Sequence, residues 1–349
     1  KAVPADKIDD ALKELGAVNK SVIGKLTKPK SAGISKLQFL NSKQIQNSKF
    51  QTIVYDKEKP TATRKAYGNA LARIFPKYPN IVVLDAEVSN STYSDIFQKA
   101  YPERFFEMFI AEQNMTGAAL GFSRRGKIPF VSTFGAFFTR AYDQIRMSQY
   151  SDANIKFCGS HAGVSIGQDG ASQMGLEDIA MFRTLLGSTI FYPSDAVSCE
   201  KLVEEAAKNK GIFYIRTTRA DTPILYDARE QFFAGGSKTL RESKNDRATI
   251  IAAGITLFEA LAAHDALQKE GIAIRVIDCY SIKPIDKKTL ERAARDTQAV
   301  ITVEDHFAEG GLGEAVASVL SHIKTPVHIL AVRKMPVETG PRQAQPRRQ

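Results

Sequence analysis

The spacing of apolar and polar positions changes three times along the chain. Residues 4–16 (PADKIDDALKELG) place apolar side chains at helical intervals and end on Gly16, which predicts a short amphipathic helix. Residues 17–60 are rich in Lys, Ser, Gln and Asn without a period and read as a linker. From Thr61 the pattern is regular. Ala66, Tyr67, Ala70, Leu71, Ile74 and Phe75 repeat at i, i+3 and i+4, and Ile81-Val82-Val83-Leu84 follows as a continuous apolar run. Further runs at 105–110, 130–132, 155–158, 188–191 and 212–216 predict buried strands, with helical stretches at 138–150 and 176–186 between them. A second block predicts strands at 249–253, 274–277, 299–303 and 327–332, with helices at 257–269 and 287–296; the polar stretch 227–246 joins the two blocks. Strands alternating with helices predict α/β architecture with two doubly wound, mostly parallel-sheet domains. The expected boundaries are 1–60, 61–226, 227–247 for the connection, and 248–349.

Composition alters this picture little. At 349 residues, 43% hydrophobic and 25% charged, the chain can bury two cores. No run of 18 apolar residues occurs and the N-terminus shows no secretory pattern, so the expectation is a cytoplasmic protein without a membrane span. The net charge of +10 sits at the ends: residues 1–60 hold 12 Lys and Arg against 6 Asp and Glu, residues 332–349 hold 5 against 1, and the remainder balances. With no aromatic residues interleaved among these charges, no nucleic-acid partner is expected. Cys158, Cys199 and Cys279 lack metal spacing; Cys158, near His161, is the one thiol with a nucleophile reading.

One carboxylate stands out. In FIAEQNM (109–115), Glu112 follows the apolar run 105–110, while Asn114 and Gly117 mark a turn into a helix. A strand's carboxyl end is where open α/β sheets bind ligands. The ordinary alternative is a capping or surface glutamate.

Eight stretches then point one way: ATRKAYG (62–68), LDAEVSNSTYSD (84–95), FIAEQNM (109–115), TFGAFFTRAYDQIRM (133–147), GSHAGVSIGQDGASQMGLEDIAMFR (159–183), YPSD (192–195), IRTTR (215–219) and VEDHFAEGGLGEAV (303–316). Together, in this order and spacing, they resemble transketolase, and the Gln-Asp-Gly-Ala-Ser-Gln pattern is similar to its vertebrate-like branch. The resemblance covers residues 60–335 and only the second part of such an enzyme. It implies a pyrimidine-binding domain for thiamine diphosphate followed by a transketolase C-terminal domain. The diphosphate-binding domain, with the ligands of a Mg²⁺ or Ca²⁺ ion, would lie upstream, so no metal ligand is expected in this chain.

By the same resemblance, Glu112 would hydrogen-bond the far ring nitrogen of the aminopyrimidine and favour the imino tautomer that accepts the thiazolium proton; the cofactor supplies the electron sink. Phe134, Phe137 and Arg140 would wall that ring. Flat apolar faces suit stacking, and plain core packing is the alternative for either phenylalanine. His161 would face the sugar hydroxyls and share the catalytic role, Asp169 would hold an acceptor hydroxyl, and Gln173 would stand where other members carry histidine. Arg64, Ser91 and Arg219 would clamp the substrate phosphate, since guanidinium groups pair bidentately with its oxygens. Glu304-Asp305-His306 with Gly310 and Gly311 reads as a strand turning tightly into a helix, not as a catalytic triad.

The implied activity is transfer of a two-carbon ketol unit from a ketose phosphate to an aldose phosphate. The implied partners are sugar phosphates and an N-terminal transketolase domain or subunit, within a homodimer or heterotetramer. Two rivals remain: another thiamine-dependent subunit, such as a deoxyxylulose-phosphate synthase or the beta subunit of a keto-acid dehydrogenase, and a non-catalytic dimerisation or interaction module. After Pro336 the run VETGPRQAQPRRQ has no helical period and departs from the family pattern.

Overall fold

A computed structural model describes residues 5–15 and 53–336; most of the expected linker, Gly16 included, and the tail from residue 337 lie outside the described residues. The chain divides into two units, Lys1–Gln46 and Asn47–Gln349. In the first, a 3-10 turn, Ala5–Lys7, runs into a helix, Ile8–Leu15, where the short amphipathic helix is expected.

The second unit contains two α/β sheets and a two-stranded antiparallel pair, Thr61–Ala62 with Asp221–Thr222. The larger has seven strands in the order Ser281–Lys283, Thr189–Phe191, Phe213–Arg216, Lys156–Ser160, Ile128–Phe134, Ile81–Asp85, Phe105–Glu107. All pairings are parallel except that of Ser281–Lys283 with Thr189–Phe191. The continuous apolar runs have a direct cause. Successive side chains point to opposite faces, and both faces are covered: Val82, Leu84, Val131 and Phe157 enter one core, while Ile81, Val83, Phe130 and Cys158 enter the other.

The smaller sheet is ordered Val327–Val332, Ala299–Phe307, Ala248–Ala252, Ile274–Asp278, Lys238–Arg241, parallel except for its last pairing. Lys238–Arg241 lies within the stretch read as a polar connection. It is an edge strand of half-buried residues, so its sequence lacks the apolar run that marks a central strand. Ser281–Lys283 follows a strand of the smaller sheet yet joins the larger one, and the two sheets are thereby interlaced. Ile251, Ile277, Leu290 and Leu312 of the second block share a core with Phe138, Phe157 and Tyr214 of the first.

Three predicted elements are shorter than expected. The run 105–110 forms a strand only over Phe105–Glu107, because the Glu107 carboxylate accepts the backbone N–H groups of Glu87 (2.9 Å) and Phe109 (3.0 Å). That turns the backbone to φ 54° at Phe109 and leaves Phe109 and Ile110 65% and 71% exposed, not buried. The helix expected at 138–150 divides into a 3-10 segment, Gly135–Ala141, and a helix, Tyr142–Tyr150; the one expected at 176–186 is confined to Asp178–Arg183.

The stretch YPSD stitches the blocks together. Tyr192 donates its hydroxyl to Asp305 at 3.0 Å and Ser194 donates to Asp278 at 3.0 Å. Asp195 caps the helix Ala196–Lys208 by accepting from the Ser198 N–H (2.7 Å), and its second oxygen accepts the backbone N–H groups of Leu225 and Tyr226.

Candidate functional site

Every residue singled out in the sequence as a candidate lies in the first block, mostly in segments that follow the carboxyl ends of its parallel strands. Glu112 opens the helix Glu112–Arg124 and is 2% exposed. A helix N-terminus favours a carboxylate, which explains how one is tolerated at that depth. Its Oε2 lies 3.3 Å from Nη1 of Arg140, the nearest cation.

Phe134 ends the strand Ile128–Phe134 and Phe137 sits on the 3-10 segment that follows; their rings stack at 5.0 Å with 7° between planes. The His161 ring stacks on Phe134 at 3.9 Å and 11°, and the Arg140 guanidinium lies over Phe137 at 5.3 Å. Four side chains thus form one column, His161, Phe134, Phe137, Arg140, whose last member reaches Glu112. Stacking an imidazole and a guanidinium on phenyl faces fixes their planes with little loss of rotamer freedom.

His161 is buried and holds a left-handed backbone, φ 56°, unusual for a residue with a side chain. Burial, with the positive charges of Arg64 and Arg219, lowers its pKa to about 3, so the ring is neutral near pH 7. Its Nδ1 lies 2.9 Å from the Ser160 hydroxyl.

The same two arginines form the other end of the site. Arg64, at the start of the helix Thr63–Ile74, donates Nη1 to the Ser91 carbonyl at 2.8 Å and Nε to the Arg219 carbonyl at 3.4 Å, with its guanidinium 5.0 Å from the Tyr93 ring. Ser91 meets Arg64 through its backbone carbonyl. Gly68 allows this approach: a Cβ there would collide with the Tyr93 carbonyl. Burial, followed by the neighbouring Arg219 charge, pushes the Arg64 pKa down. Arg219 donates to the Ile166 carbonyl and lies 3.4 Å from Asp169. Two guanidinium groups are drawn together here, with Asp169 3.4 Å from Arg219 and Asp221 also acting on Arg64, and they present the kind of donors that pair with an anion. Gln173 ends a 3-10 turn, Ala171–Gln173, and no side-chain bond ties it to these groups.

Two parts of the site were not legible as such. Asp85, the last residue of its strand, is fully buried and accepts from Thr92 (2.7 Å), Ser94 (2.8 Å) and the Val88 N–H (2.7 Å), which holds the loop that presents Ser91. Burial raises its pKa to about 6. The signal available was a strand-ending Asp with Thr and Ser seven and nine residues on. The second is Arg216, fully buried and paired with Asp178 (2.8 Å) and Asp305 (2.6 Å). Cys158 is buried and its pKa is pushed up by burial, conditions opposite to those of a nucleophile. In Glu304-Asp305-His306, Glu304 accepts the backbone N–H groups of Leu312 (2.6 Å) and Gly313 (2.9 Å), and His306 accepts that of Ala180 (3.3 Å), so these groups serve the fold. Among the described residues, no group of three or more His, Cys, Asp or Glu is placed to hold a metal ion, and no helix is long and apolar enough to cross a membrane.

Comparison with known proteins finds matches over both blocks. Residues 59–224 match the family model for the transketolase pyrimidine-binding domain, and residues 237–347 match that for the transketolase C-terminal domain, which reaches into the tail whose pattern looked divergent. Human transketolase is 54% identical over 278 residues, covering 79% of this chain and 45% of that protein. Transketolase-like protein 2 of Mus musculus is 50% identical over 305 residues, 86% of this chain and 48% of that one. The chain spans about half the length of the curated relatives it matches. A solved structure described as split gene transketolase, an inactive beta4 tetramer, superposes with a TM-score of 0.74 at 44% identity, covering 80% of this chain and 92% of that one.

Proposed function

The chain belongs to the transketolase family, and from that premise we propose that it supplies the ring-facing half of a ketol-transferring active site that becomes complete with an N-terminal diphosphate-binding domain or subunit. The observation that carries this reading is the buried Glu112 carboxylate at one end of the stacked column, with the Arg64 and Arg219 pair at the other. On this reading residues 61–226 are the pyrimidine-binding domain, 227–247 the connection, 248–349 the C-terminal domain and 1–60 the end of the upstream part, and the assembly is a cytoplasmic homodimer or heterotetramer.

A flat heteroaromatic ring fits this part of the molecule: an acceptor carboxylate within 3.3 Å of Arg140 adjoins an aromatic wall of two stacked phenylalanines. Thiamine diphosphate would supply the electron sink at its thiazolium carbon. Glu112 would hydrogen-bond the far ring nitrogen, while Phe134, Phe137 and Arg140 would wall the ring. Neutral His161 donates to or accepts from a sugar hydroxyl. Asp169 accepts from an acceptor hydroxyl, with Gln173 beside it, and Arg64, Ser91 and Arg219 take the terminal phosphate. The Mg²⁺ or Ca²⁺ ligands belong to the upstream part.

The solved neighbour's description as inactive concerns that protein; carried here, it supports the expectation that this chain alone does not turn over. Calorimetry of the chain with thiamine diphosphate and Mg²⁺ tests the division of labour. Binding is expected to be weaker than micromolar, and tight binding with turnover should appear when the N-terminal partner is added. In that assembly Glu112→Ala should slow exchange of the thiazolium proton about 10²–10⁴-fold. Micromolar or tighter binding to the chain alone would overturn the half-pocket reading. Assembly with bound cofactor but no turnover would favour the interaction-module alternative.

A further inference from the structure

Asp169 and Gln173 lie on an irregular loop, 163–175, that leaves the site and returns to it. Its two ends are tied to each other: the Gly163 N–H donates to the Gly175 carbonyl at 3.0 Å, and the neighbouring Ala162 N–H donates to the Thr217 carbonyl at 3.2 Å. Within the loop, the backbone bonds span short turns, such as Gln173 to Gly170 (3.1 Å) and Met174 to Ala171 (3.2 Å). Such a loop does not fix its own position.

Arg219 of the first block holds one side of it, through the Ile166 carbonyl and Asp169; its base is held from the second block, at the end of the strand Ala299–Phe307. Asp305 pairs with Arg216, and Arg216 donates Nη2 to the Gly175 carbonyl at 2.8 Å, so the carboxylate holds the guanidinium that holds the base of the loop. Gly163 (φ 80°) packs directly against the Asp305 carboxylate, where a Cβ would collide. The Phe307 N–H donates to the Leu176 carbonyl at 3.1 Å. Ile166, Met174 and Leu176 form a small apolar cluster whose other wall is Phe307 and Val332. Ionic, backbone and apolar contacts therefore converge on one strand end from outside the site.

We propose that Asp305 and Phe307 are positioning residues: the C-terminal block acts as the platform that sets the loop 163–175, and with it Asp169, against the acceptor sugar. The assignment of the acceptor rests on the ketol-transfer reading above; the placement of the loop does not.

Hydrogen exchange of the full chain, free of cofactor, reads the placement directly. In Asp305→Asn, amides of 163–176 should exchange about tenfold faster or more, because a buried guanidinium loses one of its two charged partners, while those of Ile81–Asp85 and Ala248–Ala252 stay within about twofold. Phe307→Ala should accelerate the same segment through a different contact. If Asp305→Asn does not fold, Tyr192→Phe, which removes only the hydroxyl donated to Asp305, should show the same local pattern at smaller amplitude. Unchanged exchange in 163–176, or acceleration spread evenly over both sheets, would overturn the proposal. In the enzyme assembled with its N-terminal part, Asp305→Asn should raise the acceptor KM about tenfold while thiazolium proton exchange stays within about twofold. Equal loss in both would show a structural role only. Loop acceleration without any acceptor effect would retain the platform and reject the acceptor assignment.

Discussion

Arg216 and Arg219 stand three residues apart in IRTTR, and the protein uses them in opposite ways. Arg216 is fully buried, with Asp178 and Asp305 on its guanidinium and the Gly175 carbonyl accepting a further hydrogen bond. Burial works against its charge, and the two carboxylates outweigh burial and raise its pKa. Arg219 is 27% exposed, bonded to a backbone carbonyl, 3.4 Å from Asp169 and close enough to Arg64 and His161 for its charge to disfavour theirs. A guanidinium saturated by carboxylates belongs to the architecture; one left with a carbonyl, a half-exposed acid and another cation can still take an anion.

The comparison breaks most visibly in stability. Arg216→Met leaves two buried carboxylates without their cation and should cost about 3–5 kcal/mol, whereas Arg219→Met should cost no more than about 1 kcal/mol. Denaturant unfolding of both variants checks this, and equal costs would remove the distinction.

The next effect is a pH dependence set at His161. Its folded pKa of about 3 lies below the unfolded value near 6.5, so between these limits the unfolded chain binds a proton that the folded chain refuses. The parent should therefore lose stability as pH falls from 6.5 towards 3, by up to about 1.4 kcal/mol per pH unit, relative to His161→Asn. Asparagine is the substitute because it tolerates the left-handed backbone. Asp278 and Glu304, raised by burial to about 7, act with the opposite sign, losing stability as pH rises towards 7, but both proteins share them. A parent-minus-variant difference that stays flat between pH 6.5 and 4 would show that the imidazole is not held neutral.

The smallest effect sharpens the contrast at the outer arginine. In the assembled enzyme Arg219→Ala should weaken phosphorylated substrates by about 10–150-fold, the equivalent of one charge-assisted bond, and leave a non-phosphorylated donor nearly unchanged. Steady-state kinetics with both donors decides it; equal losses would place Arg219 with Arg216 as architecture.

The amino-acid sequence alone determined the elements whose burial is two-sided or strictly periodic. Ile81–Asp85, Lys156–Ser160 and Phe213–Arg216 are buried at every position, and the apolar stripe of Thr63–Ile74 repeats at helical spacing, so local pattern and final structure agree. It also marked the residues that the fold gathers, Glu112, Phe134, Phe137, Arg140 and His161 in one column and Arg64, Ser91, Arg219 and Asp169 at its other end, because the resemblance supplied long-range pairing that periodicity cannot. Tertiary structure decided the rest. The strand after Phe105 stops at Glu107 because a side chain takes the backbone donors, and Ser281–Lys283 joins a sheet that is distant in sequence. Lys238–Arg241 forms only because an edge is available for it to pair with. Whether an arginine is a lock or a seat depends on which carboxylates lie within about 3 Å of it, and Asp305 reaches Arg216 from a position 89 residues away. Short-range pattern reports which residues seek burial; contacts closed over such separations decide which charges are neutralised there and which stay open to a ligand.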